Sequence, residues 1–176
     1  MSTVVGFESA EGVVLAGDRY AVRGGRVVGR ERPHVFDLGV EGYGVAAVGD
    51  DLDGFERRVD AELRRYRTER GDPSIEAFAQ LVAGVTEGTA VDAIVGARAD
   101  DGTAHIRTVD RDGSVLADEF AARGTGADFA LGRLEAADRD VGLDEAVELA
   151  RETVETVARR DALTGETVDV WRLAGE

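Results

Sequence analysis

Ser2-Thr3-Val4-Val5-Gly6-Phe7, then Gly12-Val13-Val14-Leu15-Ala16-Gly17-Asp18-Arg19, is the stretch whose reading decides the fold. Thr3 to Glu8 and Val13 to Ala16 are rich in β-branched and apolar residues. Glu11-Gly12 between them has the composition of a hairpin turn. Gly12 to Ala16 is apolar throughout, and so is Ala93 to Ala97. A strand covered on both faces reads this way, because neither set of alternating side chains meets water.

Working outward, Arg23-Gly24-Gly25-Arg26 reads as a second turn, and Val35 to Leu38 and Gly44 to Val48 as strands turning at Glu41-Gly42. The period then changes. From Asp51 to Arg70, Leu52, Phe55, Val59, Leu63 and Tyr66 recur at three- and four-residue steps, one face of a helix. A second helix is expected with Asp72 as N-cap, Pro73 at its first helical position, and Ile75, Phe78, Ala79, Val82 and Val85 inward. Strands return at Ala93 to Ala97, His105 to Val109, Ser114 to Ala117 and Phe120 to Arg123. Helical patterns run from Ala127 to about Ala137 and from Leu143 to about Arg159, and Thr167 to Leu173 closes as a strand. Strands, two helices, strands, two helices and a strand make an α+β chain. The expected fold is a single domain over residues 1–176, a four-layer α-β-β-α sandwich of two antiparallel sheets.

Composition narrows the function. Asp and Glu number 36 against 21 basic residues, all of them Arg, for a formal net charge of −15. Such a surface repels phosphates and anionic headgroups, so neither nucleic acid nor membrane is an expected partner. Acid excess without Lys or Asn resembles the proteins of salt-accumulating cells, where dense salt screens self-repulsion. A GC-rich genome favouring Arg codons is the other reading. Without Cys, disulfides, thiolate nucleophiles and Cys-ligated zinc are excluded. No apolar stretch is long enough for a membrane span, and the polar-interrupted start does not read as a signal peptide, so the cytoplasm is expected. The sequence calls for no cofactor or metal, and His105, with no second ligand nearby, reads as structural.

Several motifs, in order, carry a resemblance. The hydroxyl-led start Ser2 to Gly6, Gly17-Asp18-Arg19, Val48-Gly49-Asp50 before a helix, Gly124-Thr125-Gly126, and Arg160-Asp161-Ala162-Leu163-Thr164-Gly165 with Val168-Asp169-Val170 together resemble the proteasome-type β subunits among the N-terminal-nucleophile hydrolases. The likeness runs over essentially the whole chain. The helical extension of α-type subunits has no counterpart at its start, and its length approaches that of the simpler bacterial two-ring relative.

The resemblance implies a mechanism and a set of residues. Counting back from Gly6 and Asp18 places Ser2 at the position of the nucleophile, whose α-amino group takes up its proton once Met1 is removed. Asp18 matches the acid that holds the family's catalytic lysine. That lysine falls on His34, which is shorter and, at a reference pKa of about 6.5, mostly neutral at neutral pH. A Ser2–His34–Asp18 cluster with His34 as base is one reading, and a remnant in a silent site is the other. Ala46 or Ala47 stands at the oxyanion position, where the family has glycine. Thr125, Asp161 and Thr164 match the network around the terminal amine. The implied functions are an N-terminal hydrolase of peptides, a non-catalytic ring-forming or binding homologue, and a hydrolase of a small amide. Partners would be copies of itself or proteasome-like ring subunits, with a peptide or amide as substrate.

Overall fold

The computed structural model describes residues 1–176. Its elements follow the order read from the sequence: β1 (Thr3–Glu8), β2 (Gly12–Asp18), β3 (Ala21–Arg23), β4 (Arg26–Gly29), β5 (Val35–Asp37), β6 (Gly44–Gly49), α1 (Leu52–Arg70), α2 (Ile75–Thr86), β7 (Val91–Arg98), β8 (Ala104–Val109), β9 (Val115–Leu116), β10 (Phe120–Gly124), α3 (Ala127–Ala136), α4 (Leu143–Ala158) and β11 (Val168–Ala174). One antiparallel sheet has the order β10-β1-β2-β11 and a second the order β5-β6-β7-β8-β9, with β3-β4 as a separate hairpin. The hairpin turns through Gly24 and Gly25, at φ 57° and 71°, a conformation open to glycine at little cost.

Three apolar layers hold the sandwich together. Alternation along β1 and β2 sends Val4, Val13 and Leu15 between the sheets, where they meet Ile94 and Ile106. Val5, Phe7, Val14 and Ala16 point the other way, onto Leu134, Ala150 and Val154 of α3 and α4. The second sheet packs its outer face, with Val45 and Val95, on Phe55, Val59, Phe78 and Val82 of α1 and α2. The double burial expected of Gly12 to Ala16 is thus met, every residue of β2 being buried. Glycines set the spacing of the sheets at one edge. A methyl group on Gly44 or Gly96 would fall 2.3 Å and 2.7 Å from the ring of Trp171, so the indole of β11 lies flat against backbone of the opposite sheet.

One expectation is corrected. The N-cap of α2 is Ser74, whose Oγ accepts from the Ala77 N–H at 3.3 Å, and not Asp72. Asp72 instead accepts from Arg67 Nε at 2.6 Å. The Pro73 carbonyl accepts from the Tyr43 hydroxyl at 2.7 Å. Pro73 precedes the cap, and the chain stays extended through Ser74, at ψ 169°. At α1 the cap is Asp51, whose Oδ1 accepts from Gly54 N–H at 3.2 Å.

Candidate active site

The start of β1 lies at one end of the sandwich, and strand alternation divides its first two hydroxyls. Ser2 shares the parity of Val4, so it lies at the mouth of the gap between the sheets. Thr3 shares that of Val5, on the side of α3 and α4. Both are buried. Thr3 Oγ1 accepts from the Gly126 N–H at 3.0 Å and lies 2.8 Å from Thr164 Oγ1. A side chain on Gly126 would strike Val157 at 2.1 Å and Thr3 Oγ1 at 2.7 Å, so glycine is required for this approach.

Thr125, Asp161 and Thr164 lie together. Asp161 Oδ2 accepts from Thr164 Oγ1 and Thr125 Oγ1, both at 2.5 Å. Thr125 Oγ1 also lies 2.5 Å from the Met1 carbonyl. A hydroxyl has a single proton, so Thr125 serves one of the two at a time. Partial burial pushes the Asp161 carboxyl up, but the two hydroxyl donors and the Leu163 N–H outweigh it and hold the group below the usual carboxylate range.

Asp18 is fully buried, and its oxygens are taken by three backbone donors: Thr3 N–H at 2.9 Å, Tyr20 N–H at 3.0 Å and Gly165 N–H at 2.7 Å. Burial raises its pKa, opposed by those donors and by the nearby His34. Next in sequence, Arg19 grips Asp169 through Nε at 2.8 Å and Nη2 at 2.6 Å, a two-pronged tie between β2 and β11 that joins two of the sequence motifs.

The structure does not wire Ser2, His34 and Asp18 in series. Ser2 Oγ donates to the Tyr20 carbonyl. His34, only 4% exposed, places Nε2 2.8 Å from that same carbonyl and Nδ1 3.0 Å from the Ala47 carbonyl. The Ala47 N–H donates to the His34 carbonyl at 2.8 Å. Ala46, one residue along the same strand and paired in register with Ile94, turns its backbone to the other neighbour.

Ser2 and His34 line a small cleft of about 100 Å³ together with Met1, Arg23, Asp50 and Asp51. The sequence reading missed the carbonyl of Tyr20 and the amides of Gly126 and Gly165, because a backbone group leaves no mark in the residue type that carries it. Thr3 was readable in principle, since a polar residue inside an apolar strand needs a partner. His105, read as structural, joins the two sheets through Glu8 Oε1 at 2.9 Å from Nδ1.

A family model described as Proteasome subunit matches residues 1–173. Proteasome subunit beta 1 of Thermococcus gammatolerans is 36% identical over 186 residues, covering 99% of this chain and 90% of that protein. Proteasome subunit beta of Halorhabdus utahensis is 32% identical over 182 residues, covering 99% and 77%. Proteasome subunit beta of Methanopyrus kandleri is 33% identical over 187 residues, covering 99% and 88%. With its two sheets between helix pairs and its hydroxyl-led first strand, the chain belongs to the proteasome subunit family, as a β-type member.

Proposed function

We propose that this β-type subunit acts in intracellular protein degradation as an attenuated N-terminal serine peptidase. The observation that carries the reading is the Asp161 carboxylate with its two threonine hydroxyls at the start of β1. Loss of Met1 frees the Ser2 α-amine and removes the carbonyl that competes for the Thr125 proton. Ser2 Oγ then attacks the substrate carbonyl, and its proton passes to the amine, whose reference pKa near ~8 suits it as a base. The same proton goes to the departing amine as the C–N bond breaks. Water then cleaves the ester left on Ser2.

Two features support attenuation. The Ser2 hydroxyl is directed at the Tyr20 carbonyl and not at a basic nitrogen. The Ala47 amide, which stands near the expected oxyanion position, is already engaged. The engaged amide also favours a second reading, a ring subunit that keeps the fold for assembly alone. For ring contacts the sandwich offers the outer faces of α1 and α2, with a groove of about 730 Å³ between them lined in part by Arg65, Tyr66, Glu69 and Leu81.

Intact mass and active-site labelling test the proposal. The mature protein is expected to lack Met1 and to react slowly with a β-lactone at Ser2. Ser2→Ala is expected to abolish both labelling and the cleavage of fluorogenic peptides. Retention of Met1 in the mature chain would overturn the peptidase reading in favour of the assembly role.

A further inference from the structure

Two hydroxyls serve Asp161, and they are not equivalent. Thr125 is exposed, and its one proton is divided between Asp161 Oδ2 and the Met1 carbonyl. Thr164 is buried, at 3% exposure, and gives its proton to Asp161 Oδ2 at 2.5 Å. That leaves the Thr164 oxygen as an acceptor, and 2.8 Å away stands Thr3 Oγ1, fully buried. Thr3 Oγ1 in turn accepts from the Gly126 N–H at 3.0 Å. The proton of Thr3 has Thr164 as its one acceptor. The directions are therefore fixed: Gly126 N–H to Thr3, Thr3 to Thr164, Thr164 to Asp161. Each of the two buried hydroxyls accepts once and donates once, where no water competes.

We propose that Thr3 is a positioning residue of the site: its hydroxyl locks Thr164 onto Asp161 and so holds that carboxylate in place for the terminal amine of Ser2. Hydroxyls and the Leu163 N–H, not an arginine, orient Asp161. When Thr125 turns its proton toward another acceptor, Thr164 alone remains on Oδ2. Without the proton of Thr3 on its oxygen, the Thr164 hydroxyl is free to rotate away. The place of Thr3 in the fold suits it to this task. Its backbone N–H is held by Asp18 Oδ1 of β2 at 2.9 Å, and the Ser2 carbonyl before it accepts from the Thr125 N–H at 3.2 Å. The chain next to the nucleophile is thus pinned from β2 on one side and from the β10–α3 turn on the other. The Thr3 side chain leaves β1 on the face opposite to that of Ser2 and does not line the cleft, so it acts through Thr164 and not by touching a substrate.

The wiring stands apart from turnover, whereas its catalytic consequence rests on the peptidase reading above. Proton NMR of the full chain tests the wiring. The Thr3 hydroxyl is expected as a slowly exchanging resonance with a nuclear Overhauser contact to the Thr164 hydroxyl, and Thr3→Ser, which moves it, assigns it. A Thr3 hydroxyl that exchanges freely with water would overturn the proposal. Rates of β-lactone labelling at Ser2 test the consequence. Thr3→Val, close in shape but without the hydroxyl, is expected to lower the limiting labelling rate roughly tenfold. The lactone concentration at half-saturation is expected to stay unchanged, because Thr3 touches no ligand. Thr3→Ser is expected to recover most of the lost rate. Thr164→Val tests the same link from its other end, and the double variant is expected to be no slower than the slower single one. Losses that multiply in the double variant, or a Thr3→Ser chain as slow as Thr3→Val, would reduce Thr3 to packing and overturn the proposal. A wild-type chain that never labels refutes the peptidase reading, and the hydroxyl resonance still decides the wiring.

Discussion

At the residue scale, Asp161 is the pivot of the site, because two hydroxyls and a backbone amide favour its ionised form. A carboxyl held below its ordinary value stabilises the fold above the unfolded-state pKa, and this stabilisation is lost as pH falls through the folded value. Asp161→Asn is therefore expected to be less stable than the parent at pH 7. The gap should narrow as denaturant titrations are repeated at decreasing pH below about 4. A gap that stays constant down to pH 2 would show that the carboxylate charge is not what the threonines hold. The residue types at this site were legible, since Asp161, Thr164 and Thr125 stand in recognisable short motifs. Their wiring was not. One of the two readings joined Ser2, His34 and Asp18 in a single cluster, whereas each is satisfied by backbone groups from Tyr20, Ala47, Thr3 or Gly165. Which carbonyl or amide arrives at a given side chain depends on register and twist between distant strands, and residue identity does not encode it.

At the scale of elements, the long helices and doubly buried strands were legible because their periodicity is a direct consequence of which faces meet the core. Boundaries shifted where one residue competed with its neighbour. Asp72 and Ser74 are both good caps, and the Arg67 partner of Asp72 together with the Pro73 carbonyl decided for Ser74. The three-residue strand β3 and the four-residue strand β4 are too short to show alternation, and only their Gly24-Gly25 turn was visible. Tyr43 ties the start of β6 to the approach of α2, with its ring edge-on to Phe78 at 5.1 Å. Burial, helped by the charge of Asp72, pushes its hydroxyl up to about 12. A phenol raised in the folded state stabilises fully below its unfolded value near ~10, and that contribution is lost as pH rises through the folded value. Tyr43→Phe is thus expected to cost about 1 kcal/mol at pH 7, for the unanswered Pro73 carbonyl. It should also flatten the decline of stability between about pH 10 and 12. Thermal midpoints that fall as steeply with alkali in the variant as in the parent would contradict this.

At the scale of the whole molecule, charge governs behaviour more than fold. A net −15 accompanies exposed arginine–acid pairs such as Arg64–Asp60 at 3.0 Å and Arg65–Glu62 at 2.8 Å, which add little individually. Subunits packed into a ring would repel one another strongly in dilute buffer, where charges act over tens of ångströms, and weakly in molar salt, where they are screened within about 3 Å. Assemblies of this chain are expected to dissociate as salt is lowered. Light scattering that gives the same particle mass from molar salt to dilute buffer would contradict the expectation. No helix is long and apolar enough to cross a membrane.

The flat seating of Trp171 on Gly44 and Gly96 also gives the chain an internal reporter. Trp171 is the molecule's one tryptophan. Its fluorescence therefore registers separation of the two pleated layers and is blind to fraying of the outer helices, which far-UV ellipticity follows instead. Recording both signals along one melt distinguishes a protein that splits down the middle from one that sheds its covering first.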